Sequence, residues 1–82
     1  MNKPHWQKLH DCWQEDFHFW LSQRWLFVKL RRKHPENNLF LREIKGLDKV
    51  IKVEQGRYRA IYGSNLNLVG MRKDIENEKT NI

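Results

Sequence analysis

The sequence predicts an α+β fold, with one or two N-terminal helices packed on a small antiparallel β meander of three to four strands. Three observations predict it. Apolar residues recur at three- and four-residue steps in the front of the chain. Beyond the prolines, β-branched and aromatic residues alternate with polar ones. Glycine-containing breaks then divide that rear part into short runs. With 82 residues there is material for a single domain, and a core of that size alone supplies about 3–5 kcal/mol.

The helical part is expected over about residues 4–34. Pro4 suits the first turn of a helix, where its missing N–H costs nothing. Trp6, Leu9, Trp13, Phe17, Trp20 and Leu21 then form one apolar stripe, while Asp11, Glu15 and Asp16 fall elsewhere on the wheel. Phe19, Leu26 and Leu30 lie on the opposite side. A straight helix to Lys33 is therefore apolar nearly all round, and such a helix is either buried or broken. Ser22 is a candidate cap for a second helix, so a bend or break is expected there. His34-Pro35 ends the helical part and Glu36-Asn37-Asn38 reads as loop.

The β meander is expected over about residues 39–71, as strands at 39–44, 49–54, 57–62 and 66–71. Lys45-Gly46, Gln55-Gly56 and Gly63-Ser64-Asn65 separate them, and such tight spacing makes neighbouring strands antiparallel. Alternation puts Arg57, Arg59 and Ile61 on one face of their strand and Tyr58, Ala60 and Tyr62 on the other. Residues 74–82 read as a polar tail that frays.

Charge narrows the function more than pattern does. Sixteen Lys and Arg stand against ten Asp and Glu, a formal charge of +6, beside four Trp, four Phe and two Tyr. Basic and aromatic residues together suit phosphate contact with base stacking, or equally a protein interface built on Trp, Tyr and Arg anchors. Arg24, Lys29, Arg31, Arg32 and Lys33 put five cations and no acid into ten residues near a helix end, with Trp25 among them. A helix C-terminus favours cations for structural reasons alone, and a phosphate-facing patch is the functional reading. Arg42, Lys45, Lys49, Lys52, Arg57 and Arg59 form a second group, set against Glu43, Asp48 and Glu54. On a sheet these would be cross-strand ion pairs, or a basic surface that cradles a nucleic-acid backbone.

Other chemistry finds little purchase. The lone Cys12 excludes an internal disulfide and suggests the cytoplasm. No signal peptide or membrane-spanning stretch is read, and no membrane partner is expected. His5, His10 and His18 are spaced unsuitably for zinc, and no phosphate loop or nucleophile elbow is present. No metal or cofactor is expected.

The rear half resembles RelE/ParE-type toxins. The resemblance lies in Ile44-Lys45-Gly46-Leu47, in Lys49-Val50-Ile51-Lys52-Val53, in Gly56-Arg57-Tyr58-Arg59-Ala60-Ile61-Tyr62, and in the run ending Arg72-Lys73-Asp74-Ile75. It covers about residues 41–76. It implies a basic sheet and, for the RelE branch, metal-free mRNA cleavage on the ribosome. Lys49, Lys52, Arg59 and Arg72 would then be the catalytic cations, stabilising charge as the ribose 2′-OH attacks. Glu76 stands about where the family places a Tyr or His. Three functions are thus expected in order: a RelE-like effector acting on RNA or the ribosome; a non-catalytic phage or mobile-element protein that inhibits a host protein machine; and a simple nucleic-acid-binding module. An antitoxin or a second copy of the chain is a further expected partner.

Overall fold

The computed structural model describes residues 4–80, and in it the chain folds into three α-helices: α1, His5–Lys33; α2, Asn38–Tyr62; and α3, Leu68–Thr80. No strand occurs among the described residues, so the expected meander and the α+β class are corrected to an all-helical bundle.

The reason is visible in the burial of α2. Phe40, Ile44, Leu47, Ile51, Tyr58 and Tyr62 are its apolar side chains turned from solvent, with Leu41. Their spacing is three, four or seven residues, one side of a helix with 3.6 residues per turn. The alternation that suggested strands is local and coincidental. Val50, Val53 and Ile61, β-branched residues that suggested strands, lie off that side and remain 41%, 49% and 58% exposed. The expected division of Tyr58, Ala60 and Tyr62 from Arg57, Arg59 and Ile61 also fails, because Tyr58 is buried whereas Ala60 is exposed.

Gly46 and Gly56, read as turns, lie inside α2, and a Cβ added at either would meet nothing within 4 Å. Glycine costs a helix interior about 0.5–1 kcal/mol relative to alanine. Gly46→Ala and Gly56→Ala should therefore each raise the thermal midpoint, by about 2–8 °C for a domain of this size. A lowered midpoint in both variants would contradict the helix. The true turn is Gly63, whose φ of 79° is left-handed and whose N–H donates to the Arg59 carbonyl at 2.8 Å.

Helix α1 runs for 29 residues without the expected interruption at Ser22, a length of about 43 Å. It stays intact because it is clasped on two sides, by α2 and by α3. Phe17 and Leu21 are buried between them, and Trp13, Trp20 and Trp25 pack around that cluster. Phe19 remains 59% exposed and Leu26 44%, so the apolar surplus opposite the stripe is only partly covered, and Trp6 at the start of the stripe is itself 59% exposed.

The third side of the core comes from the segment expected to fray. Ile75 of α3 is 1% exposed and joins Phe17, Leu21 and Ile51, with Leu66, Leu68 and Met71 beside it. The expected polar tail is thus helical from 74 to 80; residues 81–82 lie outside the described residues.

Short connections carry their own hydrogen bonds. Asn37 caps α2 by accepting the Leu39 N–H at 3.0 Å, and Asn67 accepts the Gly70 N–H at 3.1 Å at the start of α3. The Gln55 amide holds the second connection by both ends. Its Nε2 donates to the Leu66 carbonyl at 2.8 Å, and its Oε1 accepts the Leu66 N–H at 3.2 Å. Gln55→Ala removes both bonds and should cost about 1–3 kcal/mol. Amide hydrogen exchange should quicken first in α3; uniform loss of protection in all three helices would count against a local clamp. Among the described residues, no helix is long and apolar enough to cross a membrane.

Candidate nucleic-acid interface

Helical geometry sorts the cations of α2 in a way a sheet would not. Arg42, Lys45, Lys49, Lys52 and Arg59 follow one another at steps of three, four, three and seven residues. At about 100° per residue they fall within a quarter of the helix circumference or a little more, along about 25 Å of its axis. All five are exposed. Among the described residues none of them has an ion-pair partner.

The acids of α2 are engaged elsewhere or point away. Asp48 accepts Arg24 Nε at 2.6 Å, tying α2 to α1. Glu54 accepts Trp13 Nε1 through one oxygen and Arg57 Nη1 through the other, each at 3.1 Å. Glu43 follows Arg42 directly and so lies about 100° round the helix from it. The stripe therefore keeps its charge.

The structure divides the expected site residues into four groups. Lys49, Lys52 and Arg59 are brought together with Arg42 and Lys45 on the α2 stripe. Lys52 and Arg59 also edge an open groove of about 360 Å³ between α2 and the start of α3, with Gly56 between them and Asn65 opposite. Lys29, Arg31, Arg32 and Lys33 gather at the α1 C-terminus, where the last three lie in the final turn, at the negative end of the helix dipole. Lys29 Nζ and Arg32 Cζ lie 5.8 and 5.4 Å from the Trp25 ring centroid, so that ring is occupied by the chain's own cations. Arg31 and Arg32 share a groove with Ile44 of α2, which places this cluster beside the Arg42 end of the stripe.

Arg24 and Arg57 are paired, with Asp48 and Glu54, and serve the fold. Arg72 stands on α3, 3.9 Å from Glu76. The strands that aligned Arg72 with Lys49, Lys52 and Arg59 in the toxin resemblance are helices here, so the fold implied by that resemblance is not the fold of this chain.

Aromatic rings are used inside the bundle. Trp13, Tyr58, Tyr62 and His10 form one cluster with centroids 4.6–6.1 Å apart for the contacting pairs. Phe17 meets Trp20 edge-on at 5.3 Å and Phe27 lies 6.2 Å from Phe40. The Tyr62 hydroxyl donates to the Trp6 carbonyl at 2.6 Å, closing the open end of the hairpin. Its pKa is raised above the ordinary tyrosine value by desolvation, then by Tyr58 and Asp11.

Sequence reasoning missed Gln55 and Gly56, and it treated Asp48 and Glu54 as neutralising charges rather than as cross-links to α1. The signal for the stripe was present: Arg42, Lys45, Lys49 and Lys52 already show steps of three and four. It becomes informative only once the helix is known.

Among the described residues, fold and surface together define three helices with a basic face, free of ion pairs, on the central one. No family model, curated protein or solved structure matches the chain.

Proposed function

We propose that this chain is a nucleic-acid-binding module that grips the phosphate backbone with α2. The observation that carries the reading is the row of five exposed cations, Arg42, Lys45, Lys49, Lys52 and Arg59, with no ion-pair partner among the described residues. Such a row has like charges at Lys45 and Lys49, four residues apart, which cost an isolated helix a few tenths of a kcal/mol. An anionic partner relieves that repulsion and releases its own counterions. The cluster at the α1 C-terminus extends the positive field beyond the stripe. No catalytic step is included in this reading. The cytoplasm is the compartment that fits it, given the single free cysteine.

Fluorescence anisotropy of a labelled oligonucleotide titrated with the full chain tests the proposal. Binding should appear at low salt and weaken with a log–log slope of about −3.5 to −4.5 for five phosphate contacts. An absence of binding at low salt would remove it.

A second reading rests on a separate observation. Leu39, Val50 and Ile61, exposed by 53%, 41% and 58%, lie along the flank of the same helix. Exposed apolar side chains beside cations also suit an acidic protein partner. Val50→Asp should release such a partner from a nuclease-treated purification while leaving oligonucleotide binding within about threefold, since one added charge at the flank acts through screened solvent.

A further inference from the structure

We infer that the ligand of the α2 stripe is a double helix, bound through its phosphates without regard to base sequence. This inference rests on the nucleic-acid reading above and adds the strandedness of the partner.

Single-stranded nucleic acid is held by two means together, a basic track and aromatic side chains on which successive bases stack. On the outward face of α2 the track is present and the rings are not. Tyr58 is buried and Tyr62 is half-buried, both on the side of α2 that faces α1. Phe40, the third ring of α2, lies against Phe27. The residues interspersed with the stripe are instead Gly46, Val53, Gly56 and Ala60. Unstacked bases would find no platform there.

The small ones among those residues, Gly46, Gly56 and Ala60, suit a double helix. They leave the backbone of α2 free to approach a rail of phosphates, with the longer Lys and Arg side chains reaching out beside them. A Cβ added at Gly46 or Gly56 meets nothing within 4 Å, so both positions are open to whatever lies on that face. The row is about 25 Å long, the rise of some seven base pairs at about 3.4 Å each. An α-helix also fits within a major groove about 12 Å wide. Sequence readout needs side chains that match the donor and acceptor pattern of base edges, such as Arg or Lys on guanine and Asn or Gln on adenine. Lys, a point charge on a flexible stem, discriminates less than the rigid Arg fork. The middle of the stripe has Lys alone, at 45, 49 and 52, and Gln55 is committed to Leu66. What remains recognisable is the regular pair of phosphate rails.

The test compares a DNA duplex of about 16 base pairs, its base-shuffled duplex, the matching RNA duplex and each single strand. Anisotropy is read with the full chain over a range of salt. The DNA duplex should bind at least tenfold more tightly than either strand, with a slope near −4.5, and the shuffled duplex should agree within about threefold. The RNA duplex arm identifies the source of the rails, A-form or B-form. Tighter binding of a DNA duplex places α2 in the wide groove, and equal binding places it across the backbone; both support the inference. Val53→Tyr adds a ring to the face and should raise single-strand affinity about fivefold or more. Single strands that bind wild type as tightly as duplex would overturn this inference and leave the nucleic-acid reading standing. Binding to none of the four at low salt would overturn both.

Discussion

Phe17→Ala should leave the chain largely unfolded at 25 °C. Phe17 is completely buried, at the point where α1 meets both of its neighbours, in contact with the cluster of Leu21, Ile51 and Ile75. Its ring also meets Trp20 edge-on at 5.3 Å. Truncating a buried Phe costs about 3–5 kcal/mol through lost transfer energy and an unfilled cavity, which is all that a core of this size supplies. The far-ultraviolet dichroism of the three helices should collapse together, because one side chain serves both helix interfaces. Phe19→Ala is the control. Phe19 lies two residues on and is 59% exposed, and its loss should change stability by less than about 1 kcal/mol. Equal damage from the two variants would mean that the faces of α1 are assigned wrongly.

The double variant Lys49→Glu, Lys52→Glu should abolish most oligonucleotide binding while the protein stays folded. Both residues are exposed at the middle of the α2 stripe. At a slope of about 0.9 per phosphate contact, two contacts account for about 60-fold in affinity between 1 M and 0.1 M salt. Reversal adds repulsion to that loss, so a reduction of about 100-fold at 0.1 M is expected, with the slope falling by about 2. Stability should remain within about 0.5 kcal/mol, since these are surface substitutions that break no bond of the fold. Arg57→Gln provides the comparison. Arg57 is an exposed cation of α2 that lies off the stripe and is already paired with Glu54 at 3.1 Å, so its effect on the salt slope should be negligible. A double variant that binds as well as wild type would take away the role assigned to α2.

The two outcomes bear on different links of the same chain of cause. The core cluster decides which side of α2 faces inward, and the inward side decides which side carries unpaired charge. Asp48 illustrates the coupling. By accepting Arg24 at 2.6 Å it locks α1 to α2 and at the same time removes from the stripe the one acid that stands between Lys45 and Lys49.

Several features were legible in the residues themselves. The front stripe of Trp6, Leu9, Trp13, Phe17, Trp20 and Leu21 keeps a helical period through about four turns. Trp13, Phe17, Trp20 and Leu21 are found in or against the core, whereas Trp6 is 59% exposed. His34-Pro35 ended α1 within one residue of its observed limit because proline restricts its neighbour whatever the surroundings. The break at Gly63 was legible, although as a hairpin between strands rather than the end of a helix, because freedom to adopt positive φ is a property of glycine. The excess of positive charge required no fold at all. Local sterics and composition were enough for each of these.

The rear half was different. Leu39 to Tyr62 contains apolar residues in numbers that satisfy a two-residue period over short runs and a 3.6-residue period over the whole, and intrinsic preference separates the two by only a few tenths of a kcal/mol per residue. What decided between them was the presence of α1 as a long apolar partner, against which one side of a continuous helix buries Ile44, Ile51 and Tyr58 together. Ile75 likewise looked like an isolated apolar residue in a polar tail until α1 offered it the gap beside Leu21. Burial against a partner is a property of two segments at once. The helical state of α2, and with it the alignment of Arg42, Lys45, Lys49, Lys52 and Arg59 on one face, was therefore set by tertiary contact rather than by the local residues.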